Sequence, residues 1–173
     1  MKNHGKCAKI FYTGSVKKLY LLRHADRESG LGLNVPLTEK GIVQALNLSK
    51  VIDEQGFNFD CIYCSPAKRT QDTALHAGLK NITVNEHLFE ASHEGLFREI
   101  YNCDDNDNNL LIIGHAPSIP HIIQRLASPQ SMKQHSYLAM GYRPCTLTEI
   151  VFDINSWKDI ESGEITFVQE PAV

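Results

Sequence analysis

Lys17-Lys18-Leu19-Tyr20-Leu21-Leu22-Arg23-His24-Ala25 decides how this chain reads. An apolar run of strand length, followed at once by Arg and His, predicts a buried strand with charged residues at its carboxyl end. Leu110-Leu111-Ile112-Ile113-Gly114-His115-Ala116-Pro117 repeats the arrangement. In an open α/β sheet, ligands sit outside the carboxyl ends of the strands, near the point where strand order reverses. The two histidines are therefore expected in one pocket. Cys64-Ser65-Pro66-Ala67-Lys68-Arg69-Thr70 follows a third apolar run. It predicts a helix capped by Ser65, with Pro66 in its first position and Arg69 in its first turn. Arg23, His24, Arg69 and His115 would then converge.

Taken together, Arg23-His24-Ala25, Ser65-Pro66-Ala67-Lys68-Arg69-Thr70 and Gly114-His115 stand in the order and strand contexts of a known set of motifs. They resemble the histidine phosphatase superfamily, marked by R-H-A/G after the first strand, S-P-x-x-R-A/T after the second, and a late G/S-H. Pro36-Leu37-Thr38-Glu39-Lys40-Gly41 and Gly114-His115-Ala116-Pro117 are similar to the P-L-T-x-x-G and G-H-x-P patterns of SixA-type phosphohistidine phosphatases. The resemblance runs from about Lys17 to Phe167. It implies a phosphoglycerate mutase-like α/β fold and hydrolysis of phosphohistidine on a partner protein through a phosphohistidine intermediate on the enzyme.

The chemistry accounts for these residue types. Phosphoryl transfer needs a nucleophile and dense positive charge on the equatorial oxygens. A neutral imidazole keeps a lone pair for attack on phosphorus, because its ordinary pKa is about 6.5. His24 is the expected nucleophile. Arg23 and Arg69 are the expected phosphate clamp, since guanidinium forks match phosphate oxygens and stay charged. His115 is the expected further donor to the phosphoryl oxygens. The competing reading of Arg69 is a surface ion pair with Asp72 or Glu39.

Glu90 bears on substrate. Relatives that cleave phosphate monoesters carry an acid after the third strand, because a departing alkoxide needs a proton. In Leu88-Phe89-Glu90-Ala91-Ser92, Glu90 falls near that position, or else it merely solvates the loop. SixA-type proteins often lack the acid, and imidazole is a far better leaving group. Val35 stands where an Arg often precedes Pro-Leu-Thr, which removes one expected contact. Two alternatives remain: a small-molecule phosphomonoesterase of the same superfamily, and a non-catalytic phosphate-binding module.

Composition narrows the partners. A net charge of -3 with no basic stretch argues against nucleic acid or an anionic membrane as partner. The expected partner is a phosphorylated protein or a small phosphate ester. No apolar run approaches the roughly 20 residues that span a bilayer, and Ile10-Phe11-Tyr12 is too short for a signal-peptide core, so a cytoplasmic location is expected. The five cysteines, at 7, 61, 64, 103 and 145, suit reduced thiols. Cys61 and Cys64 lie three apart in a strand and point to opposite faces, so they cannot share a metal. No metal and no cofactor are expected. Asp104-Asp105-Asn106-Asp107-Asn108-Asn109 lacks the glycine and glutamate of a calcium loop and reads as a solvated connection.

Strands and helices alternate along the rest. Residues 1–16 read as a flexible extension and 17–173 as one domain, long enough to bury about 70% of its unfolded surface. Strands are expected at 17–22, 59–63, 82–84 and 110–114. Helices are expected at 39–54, 66–77, 94–102 and 117–127. Thr38 caps the first helix, whose apolar stripe is Ile42, Ala45, Leu46 and Ile52, widened by Leu48 and Val51. After a loop at 128–141, 145–152 and 164–168 read as two edge strands, with Trp157 in the core. The βαβ alternation predicts a three-layer sandwich with a mostly parallel sheet flanked by helices and an antiparallel C-terminal hairpin.

Overall fold

The computed structural model describes residues 15–171. The extension expected at 1–16 lies outside this range apart from Ser15 and Val16, and Val16 already pairs with Asp153. Fully apolar runs make strands buried on both faces, and these form the middle of the sheet. β1 (Val16–Arg23) and β4 (Asn109–Gly114) pair in parallel, with Leu19 to Leu22 and Leu110 to Ile113 all almost inaccessible to solvent. β2 (Cys61–Cys64) and β3 (Thr83–Val84) extend the parallel part. β5 (Leu147–Asp153) and β6 (Glu164–Gln169) add the antiparallel hairpin, giving the order β3-β2-β4-β1-β5-β6. β5 is thus an interior strand, not an edge. The β1 edge left after β4 pairs can only be satisfied by another strand, and β5 takes it.

Helices cover both faces, as the alternation requires. α1 (Glu39–Gln55) and α2 (Lys68–His76) pack on the side of Tyr20, Leu22, Leu111 and Ile113. α3 (His93–Tyr101) and α4 (Ser118–Leu126) pack on the side of Leu19, Leu21, Leu110 and Ile112, where Trp157 is also fully buried. The stretch expected as a loop at 128–141 instead holds two short helices, α5 (Pro129–Gln134) and α6 (Tyr137–Met140). Ser128 caps α5 with Pro129 in its first turn, a start signal present in the sequence.

Two local expectations shift. α2 begins at Lys68 and its N-cap is Ala67, which offers no side chain, because the Ser65 hydroxyl is committed elsewhere. α1 is capped by Thr38 as expected, its hydroxyl accepting from the Gly41 N–H at 3.0 Å. Its buried face, however, is Gly41, Gln44, Ala45, Leu48 and Ile52, and Leu46 is 48% exposed. Polar ties set this rotation. Gln44 Oε1 accepts the Asp26 N–H at 2.9 Å, the Asp26 carboxylate accepts the Thr38 hydroxyl at 2.7 Å, and Gly41 lies directly against the Asp26 backbone.

A Cβ at position 41 would collide with the Asp26 carbonyl, which is backbone and cannot swing aside. Gly41→Ala is expected to destabilise the fold by about 1–3 kcal/mol, as overpacking does. The check is the urea midpoint, and an unchanged midpoint would refute the contact.

Candidate active site

The β1–β4 register builds the site. Arg23 is the partner of Gly114, so the residues that follow, His24 and His115, emerge side by side at the carboxyl ends of the strands. The His24 N–H donates to Gly114 O at 3.1 Å, and the two imidazoles lie 5.3 Å apart. β2 is in register with β4, and the Ser65 N–H donates to Ile113 O at 3.0 Å. Arg69 then reaches over from the first turn of α2. A cavity of about 400 Å³ is lined by Arg23, His24, Arg27, Arg69, Glu90 and His115, closed below by Ala116 to Ser118 at the start of α4. That helix adds its positive end to the cavity wall.

Hydrogen bonds assign the imidazole protons. His24 Nδ1 lies 2.7 Å from the Ala25 carbonyl, which can only accept, so Nδ1 carries the proton and Nε2 keeps its lone pair. His115 is the reverse. Arg69 Nη2, which can only donate, sits 3.3 Å from His115 Nδ1, leaving the proton on Nε2 to be donated to Ser65 Oγ at 2.8 Å. In this state His115 presents no donor to the cavity, contrary to the simplest sequence reading. Arg69 does not pair with Asp72, which Lys68 holds at 3.0 Å. Its other donor goes to Gly32 O at 2.9 Å, and the Phe89 ring lies under the guanidinium.

Arg23 is positioned by Tyr142, whose carbonyl accepts Nη1 at 2.5 Å and whose hydroxyl donates to Leu21 O at 3.0 Å. Among the described residues, Arg23 Nε and Arg69 Nε are buried and have no hydrogen-bond partner. Buried donors without partners are costly, and each of these arginines keeps one unspent N–H. Burial, against the pull of the Ala25 carbonyl and with the help of Arg23, Arg69 and Arg27, lowers His24 from the ordinary 6.5 to about 4. Burial, then Arg69, His24, Arg23 and Arg27, takes His115 down to about 3. Both imidazoles are neutral at pH 7 because burial and the arginines push the same way.

Glu90 lines the cavity, solvent-exposed, with a left-handed backbone at φ 51°. Its charge acts on Arg69, whose guanidinium is otherwise held below its usual value by burial and Arg27. The sequence reading missed Arg27, Ser65 as a partner of His115, and Tyr142. Arg27 follows His24 by three residues, and that nearness to the strand end is its one signal in the sequence. Tyr142 carries no local motif. His93 and His121 meet edge to face, with ring centroids 5.9 Å apart, and neither lines the cavity.

Residues 19–102 match the family model of the histidine phosphatase superfamily, branch 1. Just under half of the chain thus carries the mark of the histidine phosphatase superfamily. The matched stretch holds Arg23, His24, Arg69 and Glu90, and His115 lies beyond it. A protein of Nakamurella multipartitia, named as a phosphohistidine phosphatase SixA, superposes with a TM-score of 0.81 at 23% identity, covering 91% of this chain and 98% of that one. The protein histidine phosphatase SixA complexed with tungstate superposes at 0.73 with 15% identity, covering 89% of this chain and 97% of that one. At such identities the likeness carries the fold. A 2,3-bisphosphoglycerate-dependent phosphoglycerate mutase of Bacteroides fragilis is 42% identical over 65 residues, 34% of this chain and 26% of the mutase. The match therefore spans about a quarter of that relative's length.

The depressed imidazoles couple folding to pH. The unfolded chain takes up protons at His24 and His115 as pH falls through about 6.5, while the folded chain does not until about 4 and about 3. Their contribution is full above 6.5 and is lost as pH falls below it. Urea unfolding at pH 7.5 and pH 5 should show lower stability at pH 5, and a smaller loss in His24→Asn. Equal losses in both proteins would refute the assignment.

Proposed function

We propose that this protein is a phosphatase that removes the phosphoryl group from phosphohistidine on a partner protein, with His24 as nucleophile. The observation that carries this reading is the free Nε2 lone pair of a neutral, buried His24, flanked by two arginines whose buried Nε donors lack partners. The arrangement meets the two needs of phosphoryl transfer, an oriented nucleophile and preorganised charge.

The steps follow from the geometry. The phosphoryl oxygens take up the Nε donors of Arg23 and Arg69. As Arg69 turns toward the anion it releases His115 Nδ1. The His115 Nε2 proton passes to solvent and solvent protonates Nδ1; the Ser65 hydroxyl rotates to donate to the freed Nε2, and His115 becomes the third donor. His24 Nε2 attacks phosphorus, the P–N bond to the substrate imidazole breaks, and that imidazole leaves with the electron pair and is protonated by solvent. Water then attacks phosphorus, the P–Nε2 bond breaks, and phosphate departs with the extra proton. Arg27 adds charge at the cavity rim. The phosphohistidine-bearing side chain fits an open cavity that no further domain covers among the described residues.

A second reading, hydrolysis of a small phosphate ester, is favoured by one observation: Glu90 does line the cavity, where an acid for an alkoxide leaving group would stand. The SixA-type fold and the weak demand of imidazole for an acid support the first reading. No helix of the described residues is long and apolar enough to cross a membrane.

His24→Ala is expected to abolish turnover with the fold intact, and an acid-labile phosphate trapped during turnover should map to His24. Arg23→Ala and Arg69→Ala should each slow turnover on the order of a hundredfold. Near-normal kinetics for His24→Ala, or phosphate mapped to His115, would refute the reading. Substrate class is decided by Glu90→Gln, assayed on a phosphohistidine protein and an alkyl phosphate. Little change on the first is expected. A wild-type preference for the alkyl ester that collapses in the variant would establish the second reading instead.

A further inference from the structure

Far from the cavity, at the amino ends of the strands, three side chains from distant points of the sequence come together. Cys61 Sγ, Cys103 Sγ and a carboxylate oxygen of Asp107 all lie within 4.8 Å of one another. Cys61 opens β2, Cys103 follows the end of α3, and Asp107 lies in the loop that leads into β4. We propose that Cys61, Cys103 and Asp107 form a binding site for a borderline-soft divalent cation, zinc in the first instance, that clamps this end of the sheet.

The donor set selects the metal class. Two thiolates and one carboxylate suit Zn²⁺ and disfavour Mg²⁺ or Ca²⁺, which take oxygen ligands. Tetrahedral zinc, with bonds of about 2.3 Å to sulfur and about 2.1 Å to oxygen, sets its ligands roughly 3.5–3.8 Å apart. The three atoms therefore need to close by little more than an ångström, within the reach of side-chain torsions. Tyr63 is the electrostatic neighbour of both thiols, and water can fill the fourth position.

The backbone of each ligand is already fixed. Cys61 is held in the β2–β4 ladder opposite Leu110. The Cys103 N–H donates to Ile100 O at 3.1 Å, and the Asp107 N–H to Asp104 O at 3.0 Å. The Asp107 carbonyl accepts from Trp157 Nε1 at 2.8 Å and from Lys17 Nζ at 3.2 Å. Cys103 is buried, whereas Cys61 and Asp107 are partly exposed, so an ion can reach the site from solvent. Binding is charge-balanced: Zn²⁺ displaces one proton from each thiol to solvent, and the resulting site of charge -1 faces the buried ammonium of Lys17. Cys64 takes no part, since it faces the other side of the sheet.

The test uses the reduced full chain and Co²⁺ as a spectroscopic stand-in, followed by Zn²⁺. Expected are one Co²⁺ per chain with thiolate-to-cobalt charge-transfer absorption, its displacement by Zn²⁺, and a Tm raised by Zn²⁺. Cys61→Ser and Cys103→Ser should each lose the absorption. The double variant His24→Ala/His115→Ala should keep it, which separates this site from the imidazoles of the cavity. Asp107→Asn, a change on a partly exposed loop, should weaken Zn²⁺ binding at least tenfold, and it decides the matter if a cysteine variant fails to fold. Absence of the absorption in the wild type, its survival in both cysteine variants, its loss in the histidine variant, or unchanged affinity in Asp107→Asn would overturn the proposal.

Discussion

The parallel register of β1 against β4 is the constraint on which the rest depends. A slip of one residue would turn every side chain of β1 to the opposite face and place polar groups in the core. Leu19 to Leu22 and Leu110 to Ile113 fill both faces of the sheet in this register, with Lys17 at one end of the run and Arg23 and His24 at the other. That pairing puts Arg23 opposite Gly114, and His24 beside His115. Gly114 leaves room there for Ile119 of α4, whose side chain comes within 3.4 Å of where a Cβ would stand. The helices on either face then only have to deliver Arg69 and cover the cavity floor.

Around this frame the polar contacts are arranged to keep both imidazoles neutral while three arginines crowd them. In a chain of net charge -3, Arg23, Arg27 and Arg69 gather at one end of the sheet. Thr73 Oγ1 accepts the Ala25 N–H at 2.9 Å, Gln44 accepts from Asp26, and Thr38 ties the Asp26 carboxylate to the start of α1. The Pro36-Leu37-Thr38 segment thereby holds the loop after His24 without lining the cavity. The opposite end of the sheet is held by another buried cation: Lys17, with Nζ on the carbonyls of Asp105 and Asp107 and beside the Trp157 ring.

Much was legible in the chain itself, because its signals are local. Apolar runs of strand length gave the four parallel strands to within a few residues, Thr38 gave the start of α1, and Arg23, His24, Arg69 and His115 were legible as strand-end and helix-start residues. The mixed, helix-flanked sheet followed from the βαβ alternation. Where the reading failed, a long-range contact overrode a local rule. The Asp26 backbone rotated α1 away from its most apolar stripe, and His115 drew Ser65 away from its helix.

The sequence by itself therefore determined most of the elements and pointed to Arg23, His24, Arg69 and His115, since hydrophobic periodicity and strand-end position are properties of neighbouring residues. Only the tertiary structure decided which nitrogen of each histidine carries its proton, that Arg27 and Glu90 share the cavity wall, and that Cys61 meets Cys103 instead of Cys64. Apart from the His24 proton, which the adjacent Ala25 carbonyl fixes, those are facts of distance between segments tens of residues apart. They depend on the strand order β3-β2-β4-β1-β5-β6, in which β4 is inserted between two strands that precede it in the chain.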